Sequence, residues 1–346
     1  NNTSVGFLSL NSNTTGTSNT AVGTNALRDI TTSNNCTAVG KDALKLNTGA
    51  NNTAIGFAAL EACTTGENNV AVGQQAAPAI TTGTENVCIG TLAGHDLTTG
   101  QSNTIIGYEA GAFLTNGSQN TAIGLYALTS QTGTLVSTAV GYRALKSSTT
   151  GGSNVAMGRD TLYSLTTGTT TVAIGNDALG NITTQSQNTS VGHAAGSSST
   201  GSNNVFLGYN SQPPTASNNN LFVMGNGSTD NLRCNTQTIN SYSDRRDKTD
   251  IVDLPIGLDF VNKLRPVKFK WQHREENIKN GRIETGFIAQ ELQVVQNESD
   301  ANYVQSVDES NPDKLAAAYG KLIPVMVQAI KELSAEVEQL KSQLNN

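Results

Sequence analysis

Residues 19–27 read NTAVGTNAL, residues 52–60 read NTAIGFAAL, and residues 120–128 read NTAIGLYAL. The same step from an apolar residue to glycine recurs between residues 1 and 226, always 16 or 17 residues after the previous copy. Such a period is typical of stacked repeats, in which each unit buries its apolar face only against its neighbours. The recurring glycines are Gly6, Gly23, Gly40, Gly56, Gly73, Gly90, Gly107, Gly124, Gly141, Gly158, Gly175, Gly192, Gly208 and Gly225.

Each copy contains a short segment with the period of two that indicates a β-strand. The residues three and one positions before the glycine are mostly β-branched or large and apolar, as are Thr20 and Val22, and a small residue such as Ala21 separates them. We expect the outer pair to form the core and the small residue to lie beneath a neighbouring chain. A second pair, such as Ala26 and Leu27, predicts a second short strand. Each repeat is then strand, glycine turn, strand and polar turn.

The repeats therefore predict a mainly β fold, a trimeric parallel β-roll or solenoid of about fourteen turns. With one strand-to-strand spacing per turn, the fourteen turns together would rise roughly 65 Å. The alternative is a disordered low-complexity segment, and the aligned apolar positions argue against it. Collagen is excluded because glycine does not recur at every third residue.

The composition excludes several classes of function. Charged residues make up 14% of the chain, aromatic residues 5%, and the net charge is -6. No basic cluster occurs in the first 240 residues, so nucleic acid is not an expected partner. No apolar run approaches the roughly 18 residues that span a bilayer, so membrane insertion is not expected. The chain begins without Met or a leader pattern, and we expect it to be part of a longer protein.

The cysteines and histidines show no metal-binding spacing. We expect the cysteines to be buried as small hydrophobic residues, with a disulfide or a metal site as the alternative. The histidines are isolated, and no metal or other cofactor is predicted. These residues are Cys36, Cys63, Cys88, Cys234, His95, His193 and His273.

Composition changes abruptly near residue 243, where charged and ordinary globular hydrophobic residues begin. We predict a shaft over residues 1–226, a transition segment over 227–242 and a second domain over 243–346 with a C-terminal helix at about 319–344. Apolar residues of this helix alternate at spacings of four and three, which predicts a trimeric coiled-coil seam. The alternative is an amphipathic helix packed on its own domain. The seam is Met326, Ile330, Leu333, Val337, Leu340 and Leu344.

Four motifs follow in order: SDRRDK at 243–248, LRPV at 264–267, GFIAQEL at 286–292 and a helix from residue 319 to 333. With them, residues 243–346 closely resemble the intramolecular chaperone domain of bacteriophage endosialidases and other viral tail spikes and fibres, the S74 peptidase family. The resemblance implies a small trimeric α/β domain that assists assembly of a preceding β-rich shaft. It also implies release of that domain by autoproteolysis with a Ser-Lys dyad.

Ser243 and Lys248 match the nucleophile and the base of that family. The resemblance implies a cut at Ser243, with the Ser243-Asp244 bond favoured and the other side of the serine open. A lysine can act as a base only in its neutral form. Neighbouring arginines favour that form and neighbouring aspartates oppose it, and we expect trimer assembly to desolvate Lys248. Gln290 and Glu291 could orient the dyad or an oxyanion, and packing is their alternative role.

The shaft repeats resemble the head repeats of trimeric autotransporter adhesins, which form a left-handed parallel β-roll. The longer unit here implies a larger polar turn. Together the two resemblances predict a trimeric viral fibre or tail spike on the virion surface. It would bind a host receptor or glycan, and its precursor would assemble in the host cytoplasm. The alternatives are a cellular trimeric adhesin and a glycan-degrading tail spike. A glycosidase needs paired carboxylates, which the shaft does not show, so that enzyme would lie upstream.

Overall fold

A computed structural model of the chain describes residues 1–229, 242–272, 281–313 and 315–345. These residues form two compact units, Asn1–Asn226 and Gly227–Asn346, and each is described by itself. Most of the expected transition segment, Cys234 and His273 lie outside the described residues.

The first unit is a solenoid with one short strand in each turn. All its strands belong to one parallel sheet, and each strand pairs with the strand of the next turn in sequence order. The strands are Thr3–Val5 (β1), Thr20–Val22 (β2), Thr37–Val39 (β3), Thr53–Ile55 (β4), Val70–Val72 (β5), Val87–Ile89 (β6), Thr104–Ile106 (β7), Thr121–Ile123 (β8), Ser137–Val140 (β9), Asn154–Met157 (β10), Val172–Ile174 (β11), Thr189–Val191 (β12), Val205–Leu207 (β13) and Phe222–Met224 (β14).

Equivalent residues of successive repeats stand directly opposite one another in the sheet. Thr20 pairs with Thr37, and Val22 pairs with Val39. The register follows from the repeat length, because a period of 16 or 17 residues returns the chain to the same point of the turn. The predicted parallel solenoid of about fourteen turns is confirmed.

The expected inner and outer faces of the strands are reversed. Ala21 and Ala54 have no exposed surface and lie in the core, whereas Val22 is 37% exposed and Ile55 is 42% exposed. The prediction that the β-branched pair forms the core was therefore wrong. The turn segment supplies large apolar side chains such as Leu27, also fully buried, to the same core. In most turns the strand then contributes one small residue to the interior, and Ile105 and Phe206 are larger exceptions.

The second predicted strand of each repeat is also wrong, because the residues after the glycine form turns. Ala26 and Leu27 are adjacent, yet both are fully buried. Adjacent residues of an extended strand would point to opposite faces. Asn25 and Leu27 instead adopt positive φ angles of 57° and 49°. Backbone hydrogen bonds between successive repeats nevertheless continue in the turns, since the Leu27 N–H donates to the carbonyl of Ala43 at 3.1 Å.

Two stacked features hold the turns in close contact. Gly23 has a φ of +135°, and a Cβ added there would lie 2.6 Å from the carbonyl oxygen of Gly40 in the next turn. Inside the solenoid, the Asn86 amide donates to the carbonyl oxygen of Gly100 at 2.9 Å. The Asn86 side-chain oxygen accepts from the backbone N–H of Asn103 at 3.1 Å.

The described cysteines, Cys36, Cys63 and Cys88, are buried and free, as predicted. Burial raises the pKa of the Cys63 and Cys88 thiols to about 12. Within the described residues no group of three or more His, Cys, Asp or Glu could hold a metal ion. No helix among them is long and apolar enough to cross a membrane.

The second unit combines several short helices and one long C-terminal helix with two small antiparallel sheets. Its core contains Phe260, Leu292, Val304 and Leu322. Its elements are a 3-10 helix at Arg245–Asp247, α1 (Leu258–Lys263), β15 (Val267–Lys270), β16 (Ile283–Gly286), α2 (Ala289–Glu298), a 3-10 helix at Asn302–Val304, β17 (Val307–Asp308), β18 (Ala316–Ala317), a 3-10 helix at Tyr319–Leu322 and α3 (Ile323–Leu344). Strand β15 pairs with β16, and β17 pairs with β18.

Candidate active site

Ser243 and Lys248 lie in direct contact near the start of the second unit. Lys248 Nζ donates a hydrogen bond to Ser243 Oγ. It also donates to the Ser243 carbonyl oxygen at 3.3 Å. A serine hydroxyl beside an amine is the minimal arrangement of a nucleophile and its general base. The structure therefore brings together the two residues that the sequence predicts as a dyad.

A single turn of 3-10 helix produces this contact. Asp244 caps the turn, because its side-chain oxygen accepts from the Arg246 N–H at 2.8 Å. The Asp247 N–H then donates to the Asp244 carbonyl, and the Lys248 N–H donates to the Arg245 carbonyl. The turn reverses the chain over five residues, which returns the lysine side chain to the serine.

Two of the charged residues beside the dyad form an ion pair. The Arg246 guanidinium contacts the Asp244 carboxylate at 2.6 Å. This hydrogen-bonded arginine lowers the pKa of the Asp244 carboxyl, and the same contact raises the pKa of Arg246. All residues from 242 to 250 are exposed in the single chain.

Gln290 and Glu291 take no part in this contact. Within the described residues, no hydrogen bond or ion pair joins either of them to Ser243 or Lys248. Glu291 instead pairs with Arg265 through both carboxylate oxygens, one of them at 3.0 Å from Arg265 Nε. The arginine hydrogen bond lowers the pKa of Glu291. The pair connects the LRPV motif to the GFIAQEL motif.

The GFIAQEL motif also contacts the segment that precedes the last helix. Tyr319 Oη accepts from the Phe287 N–H at 3.2 Å, and the Phe287 and Tyr319 rings meet edge to face at 5.7 Å. A Cβ added at Gly286 would collide with the Tyr319 hydroxyl. A larger residue at this position would therefore displace the tyrosine from the backbone.

The predicted seam of α3 is exposed in the single chain. The helix packs on its own unit through Val325 and Ala329, which are buried. The seam residues lie on another face and keep between 41% (Val337) and 85% (Leu344) of their surface exposed. These side chains therefore do not pack on their own domain in the single chain.

Sequence reasoning missed a carboxylate that caps α1. Glu332 Oε2 accepts from the Leu258 N–H at 2.6 Å, and Glu332 Oε1 accepts from Gln328 at 2.9 Å. The hydrogen bond from the Leu258 backbone, followed by that from Gln328, lowers the pKa of Glu332. Glu332 and Leu258 are 74 residues apart, and no local pattern marks such a pair.

Residues 243–300 match the family model described as the chaperone of endosialidase, Peptidase S74. A search of curated proteins and a search of solved structures each gave no match. The matched family is associated with self-cleaving peptidase activity. The chain thus joins a parallel β-solenoid to a C-terminal segment that matches this family model, a combination that fits a fibre or spike protein with an intramolecular chaperone.

Proposed function

We propose that this chain is a segment of a trimeric viral fibre or tail spike for host attachment, and that its C-terminal domain guides trimer assembly and then cuts itself off at Ser243. The observation that carries the proposal is the contact between Ser243 Oγ and Lys248 Nζ within the residues that match the family. The mature fibre would lie on the virion surface, and its precursor would assemble in the host cytoplasm.

The dyad supports acyl transfer. The neutral Lys248 amine removes the Ser243 hydroxyl proton while Oγ attacks a peptide carbonyl carbon. The tetrahedral intermediate collapses, the C–N bond breaks, and the lysine returns the proton to the leaving amine. Water then hydrolyses the resulting ester, which regenerates the serine hydroxyl and leaves a carboxylic acid. Each chain performs this reaction once.

The favoured bond, Ser243-Asp244, constrains which serine attacks. A serine hydroxyl reaches the carbonyl carbon of its own residue only through a four-membered ring, so Ser243 of another copy would cut this bond. The Tyr242-Ser243 bond could be attacked within one chain, through a five-membered ring. A released fragment that begins at Asp244 identifies the first case, and one that begins at Ser243 identifies the second.

The exposure of the dyad supports a link between cleavage and assembly. General-base catalysis by an amine is favoured where water is excluded, and residues 242 to 250 are all exposed in the single chain. Two apolar surfaces would meet in a trimer. One is the α3 seam, and the other is the outward row of residues before the turn glycines, which includes Val39, Ile55 and Ile174. The alanines that we first expected at the interface lie inside the solenoid.

Denaturing electrophoresis of the freshly expressed full chain tests the proposal. Wild type should convert into a shaft of residues 1–243 and a fragment of residues 244–346, whose first residue mass spectrometry identifies. Ser243→Ala and Lys248→Ala should stay at full length and still form trimers. Cleavage of either alanine variant would rule out the dyad. A chain that ends at Ser241 tests the chaperone role and should be insoluble.

A further inference from the structure

An open groove of about 480 Å³ lies on the solenoid surface, along the turn segments that follow β9, β10, β11 and β12. Its lining combines one aromatic ring with charged and amide side chains. The groove belongs to the first unit, and neither the dyad nor the α3 seam contributes to it. The lining includes Arg143, Tyr163, Asp177, Gly180, Asn181 and Ser197.

A missing side chain opens the groove beside Tyr163. Lys146, Tyr163 and Gly180 occupy the same position of three successive turns, five residues after the turn glycine. The cations of the preceding turn cover the Tyr163 ring, since Arg143 Cζ lies 4.8 Å and Lys146 Nζ 5.9 Å from its centre. Gly180 places no side chain against Tyr163 from the following turn. The ring is therefore available to a ligand on that side.

The guanidinium of Arg143 is fixed before any ligand binds. Its Cζ lies 4.7 Å from the centre of the Tyr142 ring, and its Nε donates to Asp160 Oδ1 at 2.6 Å. Asp160 also accepts from Arg159 Nε at 3.0 Å. Burial raises the pKa of Asp160, but the hydrogen bonds and charges of the two arginines outweigh this and lower it overall. The Arg143–Asp160 bond uses Nε, so the terminal amino groups of Arg143 can donate to a ligand.

The remaining polar groups favour a ligand with several hydroxyl groups. Asn181 Nδ2 donates to the Ser197 carbonyl at 2.7 Å, which orients the amide and leaves its oxygen as an acceptor. The side chain of Asp177 is exposed and supplies another acceptor. Three cations, Arg143, Lys146 and Arg159, lie beside the two carboxylates Asp160 and Asp177, and Asp160 is paired with Arg143 and Arg159. The surface therefore carries both signs of charge, and the exposed Asp177 carboxylate would repel an anionic ligand but can accept from a neutral hydroxyl group.

We infer that this groove binds a neutral saccharide. The C–H face of a pyranose ring stacks on the electron-rich face of Tyr163, and its hydroxyl groups bond to Arg143, Asp177 and Asn181. The inference rests on the proposed attachment function and gives it a location. An open groove with a preformed donor suits a sugar at the end or along the side of a surface glycan.

A substitution that fills the groove with a side chain tests the inferred saccharide binding directly. Gly180→Tyr places at this position the residue found one turn earlier. A Cβ added at Gly180 would make only ordinary van der Waals contacts, and the nearest atom is the Asp177 carbonyl oxygen at 3.5 Å. The second variant is Tyr163→Ala. The control is Tyr126→Ala, which removes a ring outside the groove at a position that Ala58 and Ala194 fill in other turns.

Assembled wild-type and variant proteins are applied to an array of immobilised hexose and N-acetylhexosamine oligosaccharides, with uronic-acid oligosaccharides as the anionic comparison. Wild type should bind neutral members, both groove variants should bind at least about tenfold more weakly, and the control should match wild type. Unchanged binding by Gly180→Tyr, preference for the uronic acids, or no binding by wild type would each overturn the inference. Adsorption of the wild-type fibre to host cells tests the attachment function separately.

Discussion

Asn69 Oδ1 accepts a hydrogen bond from the backbone N–H of Asn86, one turn further along the solenoid, at 3.0 Å. Both asparagines are buried, and both belong to a row that recurs four residues before the turn glycine. Each member satisfies backbone groups that the strands leave unpaired. The row therefore ties successive turns together inside the core, in addition to the apolar contacts of the buried turn leucines.

Asn86→Ala should strongly destabilise the solenoid. The change leaves the Gly100 carbonyl and the Asn103 N–H buried without these partners, at a cost of about 1–3 kcal/mol for each group. The unfolding half-life of the trimer at fixed temperature should fall accordingly. Asn86→Thr should be milder, because Thr171 occupies the equivalent position of a later turn. Asn116→Ala, at an exposed asparagine, is the control, and an equal effect there would contradict the role of the row.

Charges on the outward row should prevent trimer formation. Val39 and Ile55 are 37% and 42% exposed in the single chain, so a solenoid alone tolerates Val39→Glu with Ile55→Glu. A trimer that covers this row would bury two unpaired carboxylates in each chain. Light scattering should report a trimer mass for wild type and its loss in the double variant. A wild-type monomer, or a double variant that remains trimeric, would contradict the assignment.

The sequence predicts the number of turns and their register because both follow from the repeat length. It does not predict which face of the strand is inside. A period of two shows that Val22 and Thr20 share one face and Ala21 lies on the other, but the choice depends on the space left by Leu27. That space becomes known only when the conformation of the turn segment is known. The residues of the turn segment that adopt positive φ angles have no strong sequence pattern that would predict this conformation.

For the candidate active site too, some features could be predicted from the sequence and others could not. A serine five residues before a lysine occurs by chance in many chains, and only the family motifs single out Ser243 and Lys248. The contact between them depends on the Asp244 cap, which local sequence can suggest. The partners of Glu291 and Glu332 depend on tertiary packing, so neither could be predicted from the sequence.

The Glu332 cap should make the C-terminal domain sensitive to acid. The pKa of Glu332 is lower in the folded state, so its contribution to stability is present above the ordinary glutamate value of 4.5 and is lost as the pH falls through the folded value. In a Ser243→Ala background, Glu332→Ala should lower the melting temperature of the domain at pH 7. The difference from the parent should shrink in acid. Glu336→Ala, one turn further along α3 and exposed, is the control, and the same pH profile for both variants would exclude the cap.

After removal of the chaperone domain, the lifetime of the folded shaft should depend on its unfolding rate. Three chains must align their turns before any interface forms, a slow and aggregation-prone step that a trimeric C-terminal domain can template. The cleaved shaft has lost that template, so its persistence depends on how slowly it unfolds. The Ser243→Ala trimer keeps the template, since the substitution removes only the nucleophile. After heating and cooling, it should recover more native trimer by light scattering than the cleaved wild type. Equal recovery would show that the domain is not needed to refold the shaft.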